Sequence, residues 1–150
     1  MPVSVSPATR TDLDGLLSLF AGYQRFYEND SPDDERNCAF FAQFVASSDA
    51  GLLLVAKDGD AIVGFANLYW TFSSVSAEPH ALMNDLFVAE TARSGGVGRA
   101  LIEASRAAAR DRGITRMSWS TALDNRRAQA LYEKTGAERS AWFEYELPTD

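Results

Sequence analysis

Apolar residues recur along this chain with two different periods, and the switches between them mark out its elements. Val3 and Val5 flank a serine and predict a short opening strand. Thr11-Asp12-Leu13-Asp14 has the features of a helix start, with Thr11 as N-cap and acidic residues in the first turn. Leu13, Leu16, Leu17, Phe20 and Tyr23 then follow at three- and four-residue spacing, one face of a helix. Glu28 to Asp33 breaks the pattern and predicts a loop. A second helix is expected from Asp34 to Ala46, burying Phe40, Phe41 and Phe44. From Leu52 the period becomes strand-like. Leu52–Ala56 reads as a strand, Asp58-Gly59 as a hairpin turn, and Ala61–Phe72 as a long aromatic return strand. Ser73–Pro79 is expected as a loop and Ala81–Val88 as the next strand. Gly95, Gly96 and Gly98 open a helix that runs through Arg112 and is stopped by Gly113. Met117–Thr121 predicts a strand, Asn125–Thr135 a helix ended by Gly136, and Ala141–Leu147 a last strand.

The resulting order is β, α, α, β, β, β, α, β, α, β. It predicts one α/β domain over residues 1–150 with a mixed sheet, in which antiparallel hairpins lead into a parallel βαβ unit.

Composition narrows the function. One cysteine, Cys38, forms no internal disulfide, and with a single histidine a structural zinc site is not expected; no metal is implied. No apolar run is long enough for a membrane helix, and the N-terminus lacks the pattern of a signal peptide, so the expected location is the cytoplasm, with no membrane partner. A net charge of −7 argues against nucleic acid. Its distribution says more than its total. Residues 1–90 carry 13 Asp/Glu against 4 Lys/Arg, and residues 91–150 carry 8 against 10. A polyanion would prefer the second part and a cation the first.

The segment from Leu86 to Leu101 holds the clearest chemistry. An apolar strand runs into Arg93-Ser94-Gly95-Gly96-Val97-Gly98-Arg99, which opens an amphipathic helix. Glycines let the backbone approach a ligand closely, and the first N–H groups of a helix have no internal partner and attract anions. Arg93 and Arg99 add fixed positive charge, so a diphosphate suits the turn. Gly98 is followed by Arg99-Ala100 rather than the Lys-Ser/Thr of a Walker loop, and Gly96-Val97-Gly98 lacks the third glycine of the dinucleotide fingerprint.

Arg93-x-x-Gly96-x-Gly98 resembles the Arg/Gln-x-x-Gly-x-Gly/Ala signature of the GNAT family of N-acetyltransferases. Downstream, the helix opened by Asn125 and ended by Tyr132-Glu133-Lys134-Thr135-Gly136 is similar to that family's second motif. The resemblance implies an acetyl-CoA-dependent transfer of an acetyl group to an amine. It implies that backbone groups of Leu86, Phe87 and Val88 line the pantetheine arm, that the N–H groups of Ser94 through Arg99 hold the pyrophosphate, and that a backbone N–H of that strand polarises the thioester carbonyl. It places Asn125 and Lys134 with the cofactor and makes Tyr132 the general acid for the departing thiolate.

Ile62-Val63-Gly64-Phe65-Ala66 and Asn84-Asp85-Leu86-Phe87-Val88 are most similar to the spermidine/spermine and thialysine acetyltransferase branch. That branch's glutamate, a proposed base, is replaced here by Asn84, which cannot accept a proton. Asp85 is a possible substitute, although strand alternation predicts that it faces away from Asn84. His80, near the start of the same strand, is expected as an exposed loop-end residue. The branch implies that Tyr23, Tyr27 and Glu28 hold a small cationic amine, and that the chain forms a homodimer. Trp70, Phe72, Trp142 and Phe143 are candidates for a pocket wall or a dimer surface. A peptide N-acetyltransferase and a non-catalytic acyl-CoA-binding module are the competing classes.

Overall fold

The computed structural model describes residues 2–46 and 48–150. It falls into two compact units, Met1–Ser120 and Thr121–Asp150.

The first unit is built on a five-stranded sheet in the order β1 (Val3–Pro7), β2 (Gly51–Asp58), β3 (Ala61–Ser73), β4 (Glu78–Val88) and β5 (Met117–Ser118). The first four strands are antiparallel, and β4 and β5 are parallel. Alternation along β2 and β3 sends Leu53, Val55 and Phe65 to one face, where α1 (Leu13–Phe26) and α2 (Asp34–Ala42) cover them. Leu16 and Phe20 are fully buried there, and Phe20 stacks on Phe41 at 3.7 Å between ring centroids. The other face receives α3 (Val97–Asp111), which buries Val97, Leu101, Ile102, Ser105 and Ala109 at helical spacing. The helix comes close because Gly64 has no side chain: a Cβ there would stand 2.9 Å from the Phe87 carbonyl and 3.2 Å from Leu101 Cδ1.

The helical segment that leads into α1 is capped two residues earlier than the sequence suggests. Thr9, not Thr11, is the cap, of a short 3₁₀ turn over Arg10–Asp12 that runs into the helix. Thr9 N–H donates to Asp12 Oδ2 at 2.8 Å, and the Thr9 hydroxyl donates to the same atom at 3.1 Å. Asp12 is also paired with Lys57 of β2 at 2.7 Å. Burial by itself would raise the Asp12 carboxyl, but the bonds from Lys57 and Thr9 outweigh it and hold the carboxyl below the usual range. A carboxyl depressed in the folded state stabilises above its unfolded pKa, and that contribution is lost as pH falls through the folded value. Lys57→Met is therefore expected to cost about 1 kcal/mol at pH 7. The difference from wild type should shrink in urea titrations taken below about pH 4, the ordinary carboxylate range.

Several expected elements differ: β4 begins at Glu78 rather than Ala81, which shortens the expected Ser73–Pro79 loop, and the last helix ends at Glu133 rather than Thr135. The second helix ends at Ala42 rather than Ala46; Phe41 and Phe44 are buried as expected, whereas Phe40 is 43% exposed. Met117–Thr121 contracts to the two residues of β5. The strand expected over Ala141–Leu147 does not form: residues 137–150 have no regular secondary structure, and Trp142, Phe143, Tyr145 and Leu147 are exposed. The alternation in that segment supplies strand propensity, but a strand also needs a neighbour for its N–H and C=O groups, and none among the described residues pairs with it.

In the second unit, α4 (Arg126–Glu133) is capped by Asn125, whose Oδ1 accepts from the Ala128 N–H at 3.3 Å. Beyond the helix, Thr135 Oγ1 donates to the Tyr132 carbonyl at 2.6 Å, and Gly136 adopts φ 86°. Among the described residues no helix is long and apolar enough to cross a membrane.

Candidate active site

Strand β4 carries the site, and its pairing explains why. Only Ala81 and Leu82 pair with Met117 and Ser118 of β5, with Ala81 N–H donating to the Arg116 carbonyl at 3.1 Å. A bond of 2.7 Å between His80 Nε2 and Ser118 Oγ pins this short contact, so His80 sits within the strand rather than on a loop. From Met83 to Val88 the side of β4 away from β3 has no strand partner among the described residues. Ala89 N–H donates to the Val63 carbonyl at 2.8 Å, toward β3. Alternation then turns the N–H and C=O of Leu86 and Val88 to the open side. An extended ligand can add to such an edge as another strand would.

The glycine turn follows directly. Arg93 reaches back, donating from Nε to the Val88 carbonyl at 3.1 Å and lying 5.6 Å from the Phe87 ring centroid. Ser94 (φ 72°) and Gly96 (φ 82°) take left-handed conformations, and Gly96 is the N-cap of α3. The helical ladder begins when Ala100 N–H donates to the Gly96 carbonyl at 3.0 Å. The N–H groups of Val97 and Gly98 precede that bond and belong to the outward-facing first turn. Gly95, Gly98 and Arg99 share the same turn. Edge and turn together offer one run of backbone N–H and C=O groups to an extended ligand that ends in an anion such as a diphosphate.

On the α1 face of the sheet, Asp85 is the centre of a polar cluster inside an otherwise apolar wall. It is 6% exposed. The Tyr23 hydroxyl hydrogen-bonds its carboxyl, and Asn84 Nδ2 donates to Asp85 Oδ1 at 3.0 Å and to the Tyr69 hydroxyl at 3.2 Å. Burial pushes the Asp85 carboxyl above its ordinary value; Tyr23, Asn84 and the Asn67 carboxamide across the register offset only part of this. The surrounding phenols respond. Burial, then the adjacent Asp85 charge, raises Tyr23 far above the ordinary phenol value, pushes Tyr69 up to about 12, and raises Tyr27. Tyr23 also packs edge-on against Tyr27 at 5.0 Å and against Phe87 at 5.9 Å. Gly22 allows that approach, since a Cβ there would be 3.3 Å from Phe87 Cζ.

Asn84 and Asp85 therefore do not face apart, as simple alternation predicts. Asn67 pairs with Asp85 while its neighbour Leu68 pairs with Met83, which leaves Asn84 as the extra residue of a β-bulge. The bulge turns the Asn84 carboxamide onto the Asp85 carboxyl. Tyr23, Tyr27, Asn84 and Asp85 are thus brought together, with Asp85 buried and Asn84 exposed. Glu28 lies outside the cluster, exposed in a left-handed conformation (φ 67°) just past α1. Asn125, Tyr132 and Lys134 lie in the second unit: Asn125 caps α4, Tyr132 is half-buried near its end, and Lys134 is exposed. Two cluster members, Asn67 and Tyr69, are not singled out by the sequence reading. The available signal was a polar residue, Asn67, inside the apolar run Phe65–Tyr69, with Tyr69 two positions on and hence on the same face.

A family model described as the Acetyltransferase (GNAT) family matches residues 13–137. The uncharacterized N-acetyltransferase YhfO of Bacillus subtilis (strain 168) is 32% identical over 141 residues, 94% of this chain and 93% of that one. The D-amino-acid N-acetyltransferase HPA3 of Saccharomyces cerevisiae (strain ATCC 204508 / S288c) is 37% identical over 126 residues, 82% of this chain and 77% of that one. A crystal structure described as that of a probable acetyltransferase superposes with a TM-score of 0.82 at 31% identity, covering 100% of this chain and 99% of that one.

Proposed function

The chain belongs to the GNAT family of acetyltransferases and is an acetyl-CoA N-acetyltransferase of that type, and from that premise we propose that its acceptor is a small cationic amine, a polyamine or a lysine-like amino acid. The observation that carries this reading is Asp85: a buried carboxyl ringed by Tyr23, Tyr27 and Tyr69, on the same strand as the open edge of Leu86 to Val88. A carboxylate and phenol oxygens suit an ammonium group.

Acetyl-CoA, when bound, supplies an acetyl thioester. The open edge of β4 orients the arm that carries it, one of its N–H groups polarises the carbonyl, and the turn from Arg93 to Arg99, with Ser94, Gly95, Gly96, Val97 and Gly98 between, holds the diphosphate. An alkylammonium has a pKa of about 10.4 and attacks only after losing a proton. Asp85 draws in the cation and takes that proton, directly or through a water, with Asn84 orienting the carboxylate. The C–N bond forms as the C–S bond breaks, Tyr132 donates its phenolic proton to the leaving sulfur, and the second nitrogen proton, shed through water as the amide forms, restores the Tyr132 phenol. Asn125 and Lys134 belong to the cofactor side in this reading, and Glu28 to the entry of the acceptor site. The same reading assigns the chain to the spermidine/spermine and thialysine-like branch on the strings Ile62–Ala66 and Asn84–Val88. It also takes the chain to act in the cytoplasm as a homodimer.

The similarity to a D-amino-acid N-acetyltransferase favours a second acceptor class, the α-ammonium of an amino acid. Thiol release from acetyl-CoA separates the two when followed with spermidine, lysine, thialysine, D- and L-amino acids, an aminoglycoside and a basic peptide. The highest kcat/KM is expected among the polyamines and lysine-like compounds. Equal or better turnover of neutral or acidic amines would sink the cationic reading, and release with the peptide alone would make the chain a peptide acetyltransferase. Tight acetyl-CoA binding without release on any amine would make it a binding module.

A further inference from the structure

Among the described residues, the buried side-chain polar atoms that make no hydrogen bond of full geometry are Nδ2 and Oδ1 of Asn67, a residue with no exposed surface. A buried carboxamide left in this way destabilises the fold, and a leucine of similar size would not. Its position in β3 gives it something to do. Asn67 is directly opposite Asp85 in the antiparallel register, so the two side chains share a face with their Cβ atoms about 5 Å apart. The bulge that brings Asn84 onto Asp85 begins at the same step, between Asn67 and Leu68. Tyr69, two residues along β3, holds the far side of the cluster through Asn84.

We propose that Asn67 is a positioning residue for Asp85: its carboxamide turns an N–H to the Asp85 carboxylate once that group is charged, and so keeps the anionic end of the acceptor site available in a dry wall. This rests on the reading of Asp85 as the acceptor-site anion. The charged carboxylate then has three donors: the Tyr23 hydroxyl from α1, Asn84 Nδ2 from its own strand, and Asn67 Nδ2 from β3. Asn67 already favours the charged form of Asp85. The titratable groups facing the carboxyl are Tyr23 and Tyr27 from α1 and Tyr69 from β3; no lysine, arginine or histidine is among the groups that shift it. An internal carboxamide is thus the donor that β3 offers.

The test is Asn67→Leu in the full chain, with Asn67→Ala as the variant that introduces no new bulk. Three quantities are measured: thermal stability, the Asp85 carboxyl titration by carbon-13 NMR, and kcat/KM for the best amine against pH. Expected are a melting temperature for Asn67→Leu at or above wild type, an Asp85 titration displaced to higher pH in both variants, and about a tenfold fall in kcat/KM on the acid limb, the size of one charge-assisted hydrogen bond. Above the acid limb, kcat/KM should stay close to wild type at each pH. An Asp85 titration and an acid limb at their wild-type positions in either folded variant would overturn the proposal. Full activity in Asp85→Asn would instead overturn the acceptor-site reading, and the NMR titration of the Asn67 variants would still decide what Asn67 does for the carboxyl.

Discussion

Asp85→Asn is expected to lower kcat by about two to four orders of magnitude, the usual contribution of a positioned proton acceptor, while making the protein more stable at neutral pH. The two effects have one cause. The fold raises the Asp85 carboxyl above its ordinary value, chiefly by burial. The folded state therefore favours the neutral form, and the ionised form required at pH 7 is held at a cost. For a carboxyl raised by folding the linkage sign is the reverse of that for Asp12. The destabilisation is absent below the unfolded pKa and complete above the folded one. Asparagine is neutral and nearly isosteric, so it removes that cost at pH 7 and changes little at pH 3. Thermal melts at the two pH values, beside steady-state kinetics, check both halves. Activity in wild type should fall as pH drops through a point above the ordinary carboxylate range. A variant that is less stable at pH 7 yet fully active would make Asp85 a structural residue with no part in the reaction.

Most of the sheet and the glycine turn were legible in the sequence because they depend on local signals. A short continuous apolar run marks Leu52–Ala56 and the 3.6 period marks the α1 face without help from the rest of the chain, and Gly96 announces its left-handed φ of 82° by being glycine. What escaped was set by pairing between strands. The bulge opposite Asn67 cannot be seen in either strand alone, yet it decides that Asn84 and Asp85 touch. Alternation, applied without it, put them on opposite faces. Asn67 and Tyr69 were lost for the same reason: in a run such as Phe65–Tyr69 their meaning comes from Asp85 across the register. Ala141–Leu147 shows the opposite failure, a correct local pattern with no neighbouring strand to complete it. The helix errors, such as Thr11 for Thr9 and Ala46 for Ala42, are end effects, where a cap turns on a single hydrogen bond.

Tyr132→Phe is expected to reduce kcat by about 10²- to 10³-fold with little change in the KM for acetyl-CoA. The substitution removes one hydroxyl and keeps the ring. Tyr132 is half-buried near the end of α4, and its backbone carbonyl accepts from Thr135 Oγ1. Phenylalanine preserves that backbone bond and the Asn125 cap, so α4 should persist. A fall in rate without a fall in stability is what a proton donor predicts and a packing residue does not. The pH profile sharpens the contrast. A phenol acting as an acid must be protonated, so it gives wild type a declining basic limb, and the variant, having no phenol to ionise, should lack it. The expected pair is therefore a slow enzyme in Tyr132→Phe with a flat basic side, and a slow enzyme in Asp85→Asn with no acid limb. If Tyr132→Phe stays within threefold of wild type at every pH, the thiolate leaves without a proton from this residue. The transfer would then depend on Asp85 and the polarising edge of β4 alone.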